Sequence, residues 1–194
     1  MRPYLQSTEY TTAAASLVYI LHELTGQIQN TWVELDIWRS SALLPTRASS
    51  IYGLANYCAK QGLKATIIIQ KKQYNFPDYR FFRYKKTDID IAKDMQDYYQ
   101  RQSAILKIPI IKQKIDIETI KSYSKEIMLV RLNPRVWRGT TTSNFVVVKP
   151  IDEHFIIMDP AIGQFCITAK TLQQALNDLQ DKKKREPQLL VVQS

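Results

Sequence analysis

The chain is poor in the residues that build metal centres and covalent frameworks, with two cysteines and two histidines among 194 residues. Cys58 and Cys166 are too few for a disulfide framework or a four-thiolate zinc site, and both are expected to be reduced core thiols. His22 and His154 lie far apart in sequence, with no helical or hairpin spacing, so neither a metal nor a cofactor is expected. Long apolar runs are missing too. Residues 13–24, the longest candidate, are interrupted by Ser16 and His22 and fall short of the roughly 18–20 residues that cross a bilayer. The start Met1-Arg2-Pro3-Tyr4 lacks the apolar centre of a signal peptide. No membrane span and a cytoplasmic location are the corresponding expectations. A hydrophobic share of 45% with only 5 glycines and 8 prolines excludes a disordered or fibrous chain. No linker, repeat or low-complexity tract divides the sequence, so residues 1–194 are read as one domain able to bury its own core.

What the sequence has in excess is positive charge. A formal net charge of +9 admits phosphates or an acidic protein as partners. The charge is dispersed, however, and its densest runs, at 70–73, 83–86 and 182–185, have the form of solvated faces or loops. No nucleic-acid motif accompanies them, which disfavours nucleic acid as the partner.

Hydrophobic spacing divides the chain into a helical first half and a β-rich second half. Leu17, Ile20, Leu21 and Leu24 predict a helix over 13–25, after Thr11 and Thr12 as possible caps and before Gly26 as a stop. A second helix is expected over 31–40, with Trp32, Leu35 and Trp38 on its apolar stripe, and a third over 51–61. The β-branched run 65–69 predicts a buried strand. Helical patterning returns over 87–103 and briefly over 117–121, followed by a strand at 127–132. Residues 144–148 and 154–158 have the form of an antiparallel hairpin turning at 151–153. A strand at 164–168, a helix at 171–179 and a closing strand at 189–192 complete an α+β layout.

The stretch from Gln6 to Leu17 resembles the bacteriocin-processing peptidase family, a papain-like cysteine peptidase family, and its relatives of unknown function. Those relatives carry Tyr-Thr-Cys-Gly-Pro-Ala at the place of Tyr10-Thr11-Thr12-Ala13-Ala14-Ala15, with an oxyanion-hole glutamine six residues before the cysteine, where Gln6 stands. The likeness continues through Glu34-Leu35-Asp36-Ile37-Trp38-Arg39 and Tyr52-Gly53-Leu54-Ala55, and more loosely through 81–86. Toward the end, Asn144-Phe145-Val146-Val147-Val148 and Asp159-Pro160-Ala161-Ile162-Gly163 are similar to the family's strand beginning with histidine and its Asp-Pro-Ala-x-Gly turn. The resemblance implies a papain-like fold with N-terminal helices on an antiparallel sheet. It also implies a nucleophile position at Thr12, an oxyanion donor at Gln6, a base position at Asn144 and an orienting acid at Asp159. The acid and the glutamine are retained, whereas the cysteine and the histidine are replaced. Each of these residues also has a plain structural use, as cap, turn or strand-edge residue.

Neither histidine is placed to substitute. His154 lies an odd number of residues from Asp159 along a strand and therefore points to the other face, and His22 is about 15 Å along the first helix from Thr12. Trp137, in the loop 133–139 before the hairpin, is expected to border the cleft.

Three functions remain open on these residues. One is a non-catalytic, peptidase-like module binding a peptide or protein in a cleft lined by Gln6, Thr12, Trp137, Asn144 and Asp159. Another is a hydrolase or acyltransferase with Thr12 as nucleophile, which would need Glu9 or Asp159 as base. The third is a basic adaptor for nucleic acid or an acidic protein.

Overall fold

The computed structural model describes residues 3–71 and 84–194. The first half contains α1 (Thr12–Thr25), α2 (Thr31–Ser41), β1 (Ala42–Leu43), β2 (Ala48–Ser49), α3 (Ile51–Lys60), β3 (Lys64–Ile69) and α4 (Lys86–Ile105). The second half runs β4 (Ile110–Lys112), α5 (Ile117–Ser122), β5 (Ile127–Leu132), α6 (Arg135–Arg138) and β6 (Asn144–Ile151). It continues with β7 (His154–Asp159), β8 (Gly163–Thr168), α7 (Ala169–Lys183) and β9 (Gln188–Gln193). Seven strands form one sheet in the order β4-β3-β9-β5-β6-β7-β8. All its pairings are antiparallel except β3 with β4. The α+β layout expected from the sequence is therefore present, and the final strand β9 enters the centre of the sheet between β3 and β5.

Helices cover both faces of that sheet. Leu129, Val147, Leu190 and Val192 pack with Leu17, Ile20 and Leu54 from α1 and α3. Their neighbours Met128, Val130, Val146, Val148, Leu189 and Val191 pack on the opposite face with Leu172 and Leu176 of α7. Because side chains alternate along a strand, both parities must be apolar when both faces are covered. This is why these strands read as continuous apolar runs instead of alternating ones.

α1 is the helix that positions the site. It is apolar nearly all round, with Ala13, Ala14 and Ala15 at its start allowing close approach to the sheet. The buried Ser16 hydroxyl donates to Phe145 O at 3.1 Å, fixing the helix against β6. Gly26 ends it in the left-handed conformation at φ 74°, a region glycine enters without steric cost. A second constraint is at Gly53, where an added Cβ would lie 2.7 Å from Ser41 Cα, so α2 and α3 approach as closely as they do because of this glycine.

Several expectations are corrected. The expected apolar stripe of α2 holds only in part: Trp38 is half-buried against the core and Leu35 is half-buried, but Trp32 is 82% exposed, and the fully buried residues are Glu34, Ile37 and Ser41. The helix is turned toward the sequence's polar residues because Glu34 holds the N-terminal segment and Ser41 meets Gly53. Cys58 is buried, but Cys166 is exposed, since β8 is an edge strand on which Cys166 points away from the covered side. The run 182–185 is not wholly solvated: Lys184 takes φ 51° and turns the chain, and Arg185 is buried. Residues 133–139, expected as loop, contain the single turn α6. The β1–β2 pair, with its cis Leu44–Pro45 peptide, and the three-residue β4 were not anticipated. The looser resemblance at 81–83 lies outside the described residues. No helix among the described residues is long and apolar enough to cross a membrane.

Candidate functional site

The start of α1 is held by the segment before it. Thr11, at the N-cap, makes no side-chain bond to the helix. Its hydroxyl instead donates to Thr8 O at 3.1 Å, closing the turn ahead of the helix. Thr12 is the first helical residue, 5% exposed, and its hydroxyl donates to Gln6 Oε1 at 3.0 Å. Gln6 is fixed in turn by its backbone N–H, which donates to Pro160 O at 2.8 Å. Glu34, fully buried, accepts from Tyr4 Oη at 2.8 Å and from Ser7 N at 3.0 Å, so α2 holds the strap that carries Gln6. Burial, with the Glu34 hydrogen bond and charge beside it, pushes the Tyr4 phenol up to about 12.

Asp159 ends β7 and is fully buried. Trp137 Nε1 and Arg138 Nε each donate to its Oδ2 at 2.8 Å, Ala161 N donates to Oδ1 at 3.0 Å, and Arg138 Nη2 closes a second bond to Oδ1. This is a bidentate guanidinium–carboxylate pair, with side-chain exposures of 12% and 0%. Charge-assisted, fork-shaped pairs of this kind are the strong ones. With its amide oriented to satisfy both neighbours, Asn144 accepts from Arg138 Nη1 at 2.6 Å and donates to Ser143 O at 2.9 Å. Arg138 therefore lies between Asp159 and Asn144, and α6 exists to place it and Trp137 there. The Trp137 ring also stands edge-on to Phe165, 5.7 Å between centroids.

Thr12 and Asn144 open on one cavity of about 340 Å³, which Glu9, Arg47, Arg131 and Arg185 also line. Gln6, Asp159 and Trp137 are not among its lining residues. They reach it through their bonds, Gln6 by way of Thr12 and Asp159 by way of Arg138 and Asn144. Hydrogen bonds thus tie Thr12 to Gln6 and Gln6 to Pro160, and a second set ties the adjacent Asp159 through Arg138 to Asn144.

Chemically, the hydroxyl and the amide at the cavity do not change protonation near neutral pH. His154 is exposed at the far end of β7, and His22, in the last turn of α1, has its Nδ1 2.9 Å from Gln27 O. Among the described residues no three His, Cys, Asp or Glu side chains gather as a metal site would require.

Sequence reasoning passed over Arg138, Arg131, Arg185, Arg47 and the positioning role of Glu34. Arg131 did leave a signal, as the lone charge inside the apolar run 127–132. It is buried, with Nε donating to Ser143 Oγ at 3.0 Å and Nη1 to Gln188 Oε1 at 3.3 Å.

A sequence model described as the Peptidase_C39 like family matches residues 1–181. No curated protein matches the chain. Among solved structures, the chain is similar to a double glycine motif protease from an AMS/PCAT transporter, solved in complex with the leader peptide. The two share 14% identity over 99% of this chain and 97% of that one, with a TM-score of 0.52. The likeness is one of fold, a papain-like arrangement of helices on a mostly antiparallel sheet. The Pseudomonas avirulence protein AvrPphB also aligns, at 9% identity over 95% of this chain and 92% of that one, with a TM-score of 0.32.

Proposed function

We propose, from the premise that this chain belongs to the Peptidase_C39 like family, that it is a single peptidase-like domain that binds a peptide or protein in its cleft without cleaving it. The family resemblance puts a nucleophile, a base and an orienting acid at Thr12, Asn144 and Asp159. A papain-type reaction needs an ionisable thiol, an imidazole that takes and returns its proton, and a carboxylate that orients the imidazole. The observation that carries the proposal is the engagement of Asp159 by Arg138 and Trp137, with Arg138 reaching on to Asn144. The acid here orients a guanidinium, which stays protonated at any working pH and accepts no proton. The Thr12 hydroxyl donates to an amide oxygen, a partner that does not remove its proton.

Binding requires neither group. The cavity remains open, and Gln6, Glu34 and Arg138 hold its walls in place. Incubating the purified chain with an extended peptide carrying a double glycine junction, followed by mass spectrometry, tests the reading. No cleavage is expected, and Thr12→Ala is expected to behave as the parent does. Turnover that disappears in Thr12→Ala would overturn the proposal in favour of a threonine hydrolase, with Glu9 as the base facing the same cavity.

A further inference from the structure

We propose that the ligand of this cleft is an acidic peptide whose carboxylate side chains are bound by Arg47, an inference that rests on the reading of the cleft as a peptide groove. Among the described residues that line the cavity, Arg47, Arg131 and Arg185 oppose a lone acid, Glu9. Thr12 and Ala13, the first residues of α1, line the cavity as well, and no acidic residue occupies the helix's first turn. The partial positive charge of a helix N-terminus adds to that of the guanidinium groups.

Arg47 is the residue placed to make the contact. It is exposed in the turn between β1 and β2, at φ 58°, where the backbone swings its side chain over the Tyr10 ring at 5.2 Å. Tyr10 is braced in turn against Trp38, 5.0 Å between centroids. A cation–π contact with a ring face uses none of the guanidinium's hydrogen-bonding capacity for a protein acceptor and leaves N–H donors for a carboxylate. Among the described residues those donors make no hydrogen bond or ion pair. Arg131 and Arg185 are already engaged, and they serve as fixed charge in the wall.

The same distribution favours a peptide over nucleic acid. A nucleic-acid surface presents a continuous basic stripe. Here Arg39, Lys71, Lys93, Lys114 and Lys182 are each paired with an acid, whereas Arg47, Arg131 and Arg185 meet around one concave site. Acidic side chains are favoured over a chain terminus because a terminus offers one carboxylate to a wall carrying several cations.

The test is titration calorimetry of the full chain with a glutamate-rich, C-terminally amidated peptide, its glutamine counterpart, the unamidated glutamine peptide and a short single-stranded oligonucleotide. The glutamate peptide is expected to bind about tenfold or more tightly than its glutamine counterpart, the factor for losing a charge-assisted contact. Its affinity should fall with added salt. Arg47→Gln is expected to lose a similar factor while its circular dichroism stays that of the parent, because the side chain is exposed. Equal binding of the two amidated peptides overturns the carboxylate proposal and leaves the groove reading standing. Preference for the unamidated glutamine peptide transfers the contact to a chain terminus and overturns the proposal as stated. Tighter binding of the oligonucleotide overturns it in favour of phosphate, and undiminished binding by Arg47→Gln overturns the role of that residue. No binding by any peptide counts against both the inference and the groove.

Discussion

Cys58 and Cys166 show how far a single residue's chemistry depends on its place. Cys58 lies in α3 with no exposed surface, and burial pushes its thiol up to about 12, so its reactive thiolate is scarce at ordinary pH. Cys166 lies on the outer strand β8 and is exposed. Thiol labelling of the native chain is therefore expected to modify Cys166 promptly and Cys58 only on unfolding. Equal rates for both, measured by peptide mapping, would contradict this placement. The sequence led to the expectation of two reduced core thiols, and both are free, but it did not disclose this difference. Alternation separates one side of a strand from the other, yet burial depends on which sides are covered, and only the assembled sheet determines that. Glu34 was hidden for a related reason. A glutamate on a helix is ordinarily solvated, and its burial follows from Tyr4 and Ser7, which meet it from 30 and 27 residues away.

At the scale of elements, the short helix α6 joins the ends of β6 and β7 through one guanidinium. Removing one partner of a buried ion pair leaves the other charge without compensation, which typically costs about 3–5 kcal/mol. Arg138→Ala is expected to lose stability of that order, because Asp159 would keep only the Trp137 indole and the Ala161 amide. Adding Asp159→Ala to that variant should recover part of the loss, since coupled partners are not additive. Urea unfolding of the two single variants and the double variant measures the coupling, and simple additivity would contradict the bridging role. The long elements were legible: every helix expected from apolar spacing and each expected strand is present within a few residues of its predicted span. The elements that carry the site were less so. α6 has four residues and the β1–β2 pair two on each side, too few to show a period of 3.6 or of 2. The buried face of α2 departs from its apolar stripe because it carries Glu34 and Ser41 beside Ile37, with Trp38 half-buried and Trp32 exposed.

Across the whole molecule, the +9 net charge is spread along the chain, and three of its arginines, Arg47, Arg131 and Arg185, gather around one cavity. Composition reported only the sum, and tertiary contacts brought Arg47, Arg131 and Arg185 together from three distant segments. The family resemblance had already joined Gln6, Thr12, Asn144 and Asp159, and the fold links the first pair and the last pair by hydrogen bonds. It adds Arg138, which the motifs did not single out, between the acid and the amide. The central claim is that this cleft holds a peptide and performs no chemistry on it. Native mass spectrometry of the chain mixed with an extended, glutamate-rich peptide carrying a double glycine junction tests both halves in one spectrum. The account predicts a complex whose mass equals that of the chain plus the intact peptide, with intact peptide recovered after dissociation. A covalent adduct on the chain, shortened peptide, or the absence of any complex would contradict it.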